Sequence, residues 1–283
     1  MFATLLGSLP RPTLPDDAAA EALLEAVLEL QVEHGLEPLS DGGSPLPDGD
    51  GPVAAWRAIA ARTDRLVKAV LEGPISSGRA AADLRAVLGD LADAGCRWVE
   101  IHEPAATTIG ADPDARARFA EVHRALTDGL AGVHLSLAIT GGDADAAGIE
   151  TILAGAYSSL ALDLIDGPDN WRLAVAAPGE VGLICGALST REGSDDGPEL
   201  LVWAAGYAAS TGGRGPDRVG LATAGSLAAL PWDVAARKVE RLGHAARLAS
   251  MPVDERKSAI DPRAVDKRSA ALGRYEPRRD PKA

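Results

Sequence analysis

The sequence predicts an α/β fold, a single (β/α)₈ TIM barrel, and three observations carry that expectation. Short β-type runs alternate with longer helical patterns eight times in succession, which favours a parallel sheet with crossover helices. The 283 residues suffice for a barrel of roughly 250 residues plus a tail. The main alternative, a doubly wound sheet, lacks its usual sign, because no GxGxxG or GxxxxGK[ST] follows a strand.

The elements follow in order. Strands are expected at 3–7, 36–40, 66–71, 97–102, 132–139, 159–165, 181–186 and 218–223. Helices are expected between them, at 16–34, 51–61, 79–94, 112–129, 143–154, 168–176, 198–209 and 231–249. Several open on Asp or Pro, which suit helix N-termini, and Gly35, Gly95 and Gly129 stand where helices should stop. The Gly/Pro/Asp-rich segment 40–51 reads as a loop, equally suited to a solvated connection or a lid. Residues 1–251 form the expected barrel. Residues 252–283 turn charged, with nine Lys/Arg against six Asp/Glu, and read as a loosely held tail.

Composition narrows the function classes. A net charge of −13 disfavours nucleic-acid binding, which needs a basic surface to neutralise phosphates. No apolar run reaches the roughly 20 residues of a membrane span, and no basic-then-apolar leader opens the chain. The two cysteines, Cys96 and Cys185, are far apart and suit a reducing compartment. A cytoplasmic protein acting on a small molecule is the expectation, with its oligomeric state open.

Barrel chemistry gathers at the C-terminal ends of strands. There the fourth expected strand carries Glu100 and His102, two residues apart and so on one side, followed by Glu103. The next carries His134 and Ser136 with the same spacing, and the sixth carries Asp163. If these faces converge, His102, His134 and Asp163 offer two imidazoles and a carboxylate, a set able to hold a divalent metal. A hydrogen-bonded structural role is the competing reading for each histidine. Cys185 and Cys96 read as buried small apolar residues, with Cys185 a possible thiolate ligand by relocation.

The motifs resemble the catalytic barrel of cobalamin-independent methionine synthase. Thr4 to Pro12, TLLGSLPRP, is similar to the family's T-x-x-G-S-x-P opening. Gln31 to Gly42, Glu72 to Ser76, Asp90 to Gly95 with Ile101 to Ala105, and Gly225 to Leu248 match further segments in order. The resemblance implies a barrel that binds a small thiol on zinc and takes a methyl group from a folate. It also implies Gly7 and Ser8 near the substrate, with His134 and Asp163 as remaining metal ligands. The residues themselves offer Ser136 as a substrate contact, His102, Glu103 and His134 for catalysis, and Arg11 for an anionic group or a surface salt bridge.

The departures fall on the polar roles. The H-x-C of the family reads His134-Leu135-Ser136, its C-G reads Ala224-Gly225, and the Asp of D-E-P-A reads His102. The acidic residue expected after Asp41-Gly42 is Gly43. A weak or absent zinc site follows. Three readings stay open: methyl or alkyl transfer to a small thiol, a repurposed enzyme of lyase or hydrolase type, and a non-catalytic ligand-binding barrel.

Overall fold

The structure, a computed structural model, describes residues 1–15, 19–44, 51–194 and 197–259. Seven parallel strands form one curled sheet: β1 (Phe2–Thr4), β2 (Lys68–Glu72), β3 (Trp98–His102), β4 (His134–Ile139), β5 (Ser159–Asp163), β6 (Gly182–Leu188) and β7 (Val219–Thr223). Their order is β1-β7-β6-β5-β4-β3-β2. The helices are α1 (Ala20–Glu33), α2 (Pro52–Ala60), α3 (Pro74–Ser77), α4 (Ala81–Asp93), α5 (Pro113–Thr127), α6 (Ile149–Ile152), α7 (Trp171–Ala176), α8 (Pro198–Ser210), α9 (Trp232–Ser250) and α10 (Val253–Ala259).

Segment 36–40 departs from expectation. It contributes an isolated bridge at Leu39, paired with Val67, rather than a strand. Pro38 has no N–H to donate, so a ladder cannot run unbroken through it. The segment still lies between the sheet's two edges. Glu37 N–H donates to the Ala3 carbonyl, Leu39 N–H to that of Leu66, and Lys68 N–H to that of Leu39.

The helix expected at 143–154 is broken into a 3₁₀ turn at Asp145–Ala147 and the single turn of α6. Gly148, at φ 81°, separates them. The helix expected at 168–176 likewise divides into a 3₁₀ turn, Pro168–Asn170, and α7. The start of the expected 16–34 helix, the centre of the 40–51 loop and the tail beyond residue 259 lie outside the described residues.

Two cores result. The larger lies between the sheet's convex face and the helices, and includes Leu24, Leu88, Leu137, Leu160, Leu221 and Leu242. A smaller one lines the concave face, where Leu6, Ala138, Ala161, Ile184 and Ala222 are buried against Phe2 and Trp98. Parallel strands buried on both faces explain why they read as nearly continuous apolar runs. The concave side chains are mostly small, and that thin filling leaves room for polar groups.

Candidate functional site

From mid-sheet to the C-terminal ends of the strands, β2, β3 and β4 present a polar group built around a buried ion pair of Lys68, the first residue of β2, and Glu100, at the middle of β3. The pairing of Glu72 with His102, and of Val70 with Glu100, sets the register. Lys68 and Glu100 are both 1% exposed, and Lys68 Nζ lies 2.6 Å from Glu100 Oε2. The same ammonium donates to the Leu5 carbonyl at 2.6 Å, tying β2 to the turn after β1. Burying two charges is worthwhile only when each finds partners, and these do. Asp41 lies close enough to feel the Lys68 charge. Burial raises its carboxyl above the usual range, while the Gly43 N–H and then Lys68 act against that rise.

His102 ends β3, and its Nε2 lies 2.8 Å from Thr140 Oγ1. Burial pulls its pKa below the ordinary value and Lys68 reinforces this, while Glu100, Glu103 and Glu72 oppose it. The ring is therefore neutral near pH 7.

Glu103 turns away from this group. It is fully buried and accepts hydrogen bonds from the Ile75 N–H at 2.9 Å, the Ser76 N–H at 2.7 Å and the Ser76 hydroxyl. His123 Nε2 stands 3.4 Å from it and is itself gripped by the Tyr157 hydroxyl through Nδ1. Burial works to raise the Glu103 pKa, but the hydrogen bonds from His123, Ser76 and Ile75 prevail and hold it low. Its carboxylate orders α3, so the structure gives it a positioning role.

Asp163 closes β5 and organises the loops beyond. Its Oδ1 accepts from Ile165 and Asp166 N–H, and its Oδ2 from Gly141 N–H. Burial nonetheless raises its pKa.

Gly7, Ser8 and Arg11 follow β1 on this same face. Ser8 accepts from the Leu227 N–H at 2.8 Å, and Leu9 N–H donates to Gly42 at 2.7 Å, so the loop is pinned between its neighbours. Gly7 has φ 81°, and a Cβ there would lie 2.8 Å from the Ser226 backbone. Gly43 has φ 73° and packs directly on the Ser8 side chain, so an acidic side chain at this position would collide with Ser8. Arg11 is exposed.

The expected meeting of His102, His134 and Asp163 does not occur. His134 is the first residue of β4, opposite Trp98, whereas Asp163 is the last of β5. Ser136 pairs with Ser159, so His134 and Asp163 are separated by six residues of register, ~20 Å along the strands. His134 instead stacks on Trp98, ring centroids 3.7 Å apart, and its Nε2 lies 2.8 Å from Ser159 Oγ. The histidine expected as a ligand belongs to the opposite end of the sheet.

Zinc does not fit the residues present. Ser136 is fully buried mid-strand with an unpartnered hydroxyl, and Ala224 follows the far end of β7, so these two positions are not neighbours. Cys185 packs on the convex face towards α8, and burial pushes its thiol up to about 12. Burial also raises Cys96, whose thiol contacts the Trp98 carbonyl at the start of β3. Neither cysteine offers a thiolate to the polar group. Among the described residues the group with metal-ligand spacing is Asp143, Asp145 and Asp169, and Arg172 pairs with two of the three.

Lys68 carried no role in the sequence reading. A lysine inside the apolar run LVKAVL, on a strand beside one bearing Glu100, was the available sign.

No protein-family model matches this sequence, and no curated protein matches it. Solved structures do. The fold is similar to that of a B12-independent methionine synthase from a Shewanella species in complex with selenomethionine. That match has a TM-score of 0.73 and 15% identity, covering 91% of this chain and 99% of the other. A candidate vitamin-B12-independent methionine synthase from Listeria monocytogenes matches with TM-score 0.65 and 14% identity, over 87% and 97% of the two chains. A Methanosarcina mazei methyltransferase matches with TM-score 0.58 and 13% identity, over 87% and 93%. The chain thus has the fold of methionine-synthase-like proteins. Among the described residues no helix is long and apolar enough to cross a membrane.

Proposed function

We propose that this protein is a methionine-synthase-like (β/α)₈ barrel that transfers a methyl or alkyl group to a small thiol without a zinc–thiolate centre. Segment 36–40 is read as the second strand, and its backbone bonds to β1 and β2 support closure. The observation that carries the chemistry is His102, neutral, oriented by Thr140 and set at the strand ends beside the Lys68–Glu100 pair.

In this reading a thiol gives its proton to the free nitrogen of His102. Glu100, Glu103 and Glu72 favour the imidazolium that forms. The sulfur lone pair attacks the methyl carbon, the bond from carbon to the donor nitrogen breaks, and its electron pair stays on that nitrogen. The imidazolium then returns its proton to the donor nitrogen, which leaves the enzyme unchanged. In this reading Ser8 and Arg11, on the loop after β1, meet the anionic end of a substrate. A folate is the donor that the family likeness suggests. The missing thiolates also favour a second reading, a barrel that binds a small molecule and performs other chemistry or none.

The test is thioether formation from homocysteine and 5-methyltetrahydrofolate, read by mass spectrometry with a metal chelator present. Turnover that survives chelation and falls about 10²-fold or more in His102→Gln is expected. Absence of product, loss of turnover on chelation, or an unaffected His102→Gln variant would overturn the reading.

A further inference from the structure

We propose that the opposite, N-terminal mouth of the sheet is a second binding site, for a small aromatic zwitterion such as an aromatic α-amino acid. The cavity here measures about 510 Å³, and small-molecule sites run from roughly 300 to 1,000 Å³. It lies at the beginnings of β1, β3, β4, β5 and β6, at the end opposite His102, and neither Lys68 nor Glu100 lines it.

Its inner wall is aromatic. Phe2 meets Trp98 edge to face with ring centroids 5.7 Å apart, and Trp98 stacks on His134. In a chain with only 4% aromatic residues, three rings are gathered at this one mouth. The facing wall is thin, because Gly182 and Ser159 supply little bulk beside Ile184. A slot with rings on one side and small residues on the other suits a flat ring.

A buried polar atom of the cavity lining, Trp98 Nε1, lacks a hydrogen-bond partner. An orphaned buried polar atom is costly, and a guest or ordered water that supplies a partner recovers that cost. His134 is held neutral by burial, so the inner wall carries no charge to repel a ring.

The charges stand at the rim. Glu180, Asp217 and Arg218 line the cavity, all three are exposed, and no ion pair joins them among the described residues. Two carboxylates and one guanidinium complement an ammonium and a carboxylate on a single small molecule. A ring alone would leave the rim unused. A zwitterion without a ring would leave the slot empty.

The experiment is calorimetric titration of the full chain with L-phenylalanine, benzylamine, 3-phenylpropionate and glycine. We expect one L-phenylalanine per chain, weaker binding of the two half-charged analogues and none of glycine. Arg218→Ala should weaken L-phenylalanine and 3-phenylpropionate at least about tenfold and leave benzylamine unchanged. Glu180→Gln with Asp217→Asn should weaken L-phenylalanine and benzylamine and spare 3-phenylpropionate. All three rim substitutions are on exposed side chains, so folding is preserved and circular dichroism checks it. No heat at millimolar ligand overturns the proposal. So does binding that ignores the rim variants but is lost in His102→Gln, since that would locate the ligand at the other end.

Discussion

The two ends of the sheet solve the problem of buried polarity in opposite ways. From mid-sheet to the C-terminal end, charge is kept and matched: Lys68 pairs with Glu100, and Glu103 gathers donors from α3 and stands beside His123. At the N-terminal end, charge is removed from the interior. His134 stays neutral against Trp98, its ring nitrogen meets the Ser159 hydroxyl, and the ionised groups are displaced to the rim. Matched charge gives a directional field suited to moving protons. A neutral aromatic wall gives affinity for a ring with no chemistry attached.

The comparison breaks first if the ion pair is not a matched unit. Lys68→Ala leaves Glu100 buried without its partner and should lower unfolding stability by about 3–5 kcal/mol in urea titrations. The double variant Lys68→Met, Glu100→Leu should recover most of that loss. Equal destabilisation by the single and double variants would mean packing, rather than charge matching, holds this end together.

The next effect separates the ends by pH. The folded-state pKa of His134 is lowered to about 4 from an ordinary 6.5. Between those values the unfolded chain binds the extra proton, so this contribution to stability is present above 6.5 and is lost as pH falls towards 4. The loss amounts to ~3 kcal/mol if the shift is realised in full. His102 shifts in the same direction, so it adds to the slope. Denaturant midpoints measured across that window should fall less steeply in His134→Phe than in the parent. Parallel curves would show that His134 does not provide the acid sensitivity.

The smallest effects are also the most local. Thr140→Val removes the partner of His102, and Ser159→Ala removes that of His134. Each should cost about 1 kcal/mol. Their functional consequences should diverge: Thr140→Val should slow thioether formation and leave L-phenylalanine titration unchanged, whereas Ser159→Ala should do the reverse. A variant that disturbs both readouts equally would join the two ends into one site.

Much of the fold was legible, and the reason is periodicity. Seven of the eight expected strands overlap β1 to β7, because strands buried on both faces leave apolar runs that helices interrupt. The exception, 36–40, contains Pro38, whose missing N–H costs it a ladder position. Side-chain parity was legible too: Glu100 with His102, and His134 with Ser136, do share the concave face. The site was less so. His102 and Asp163 were expected at strand ends and are found there, whereas His134 opens its strand instead of closing it.

The amino-acid sequence by itself determined the parallel α/β plan, the turns where Gly and Pro stand, and which side chains share a face. Those properties depend on neighbours along the chain, whose spacing is set by backbone geometry. Only the tertiary structure decided which residues meet. A parity pattern repeats every two residues, so it states the face but not the height at which a side chain sits. Inter-strand register supplies that height. It sets Lys68 two residues below Glu100, within reach of its long side chain, and carries His134 to the end opposite His102, leaving a cavity where Gly182 and Ser159 face a wall of rings.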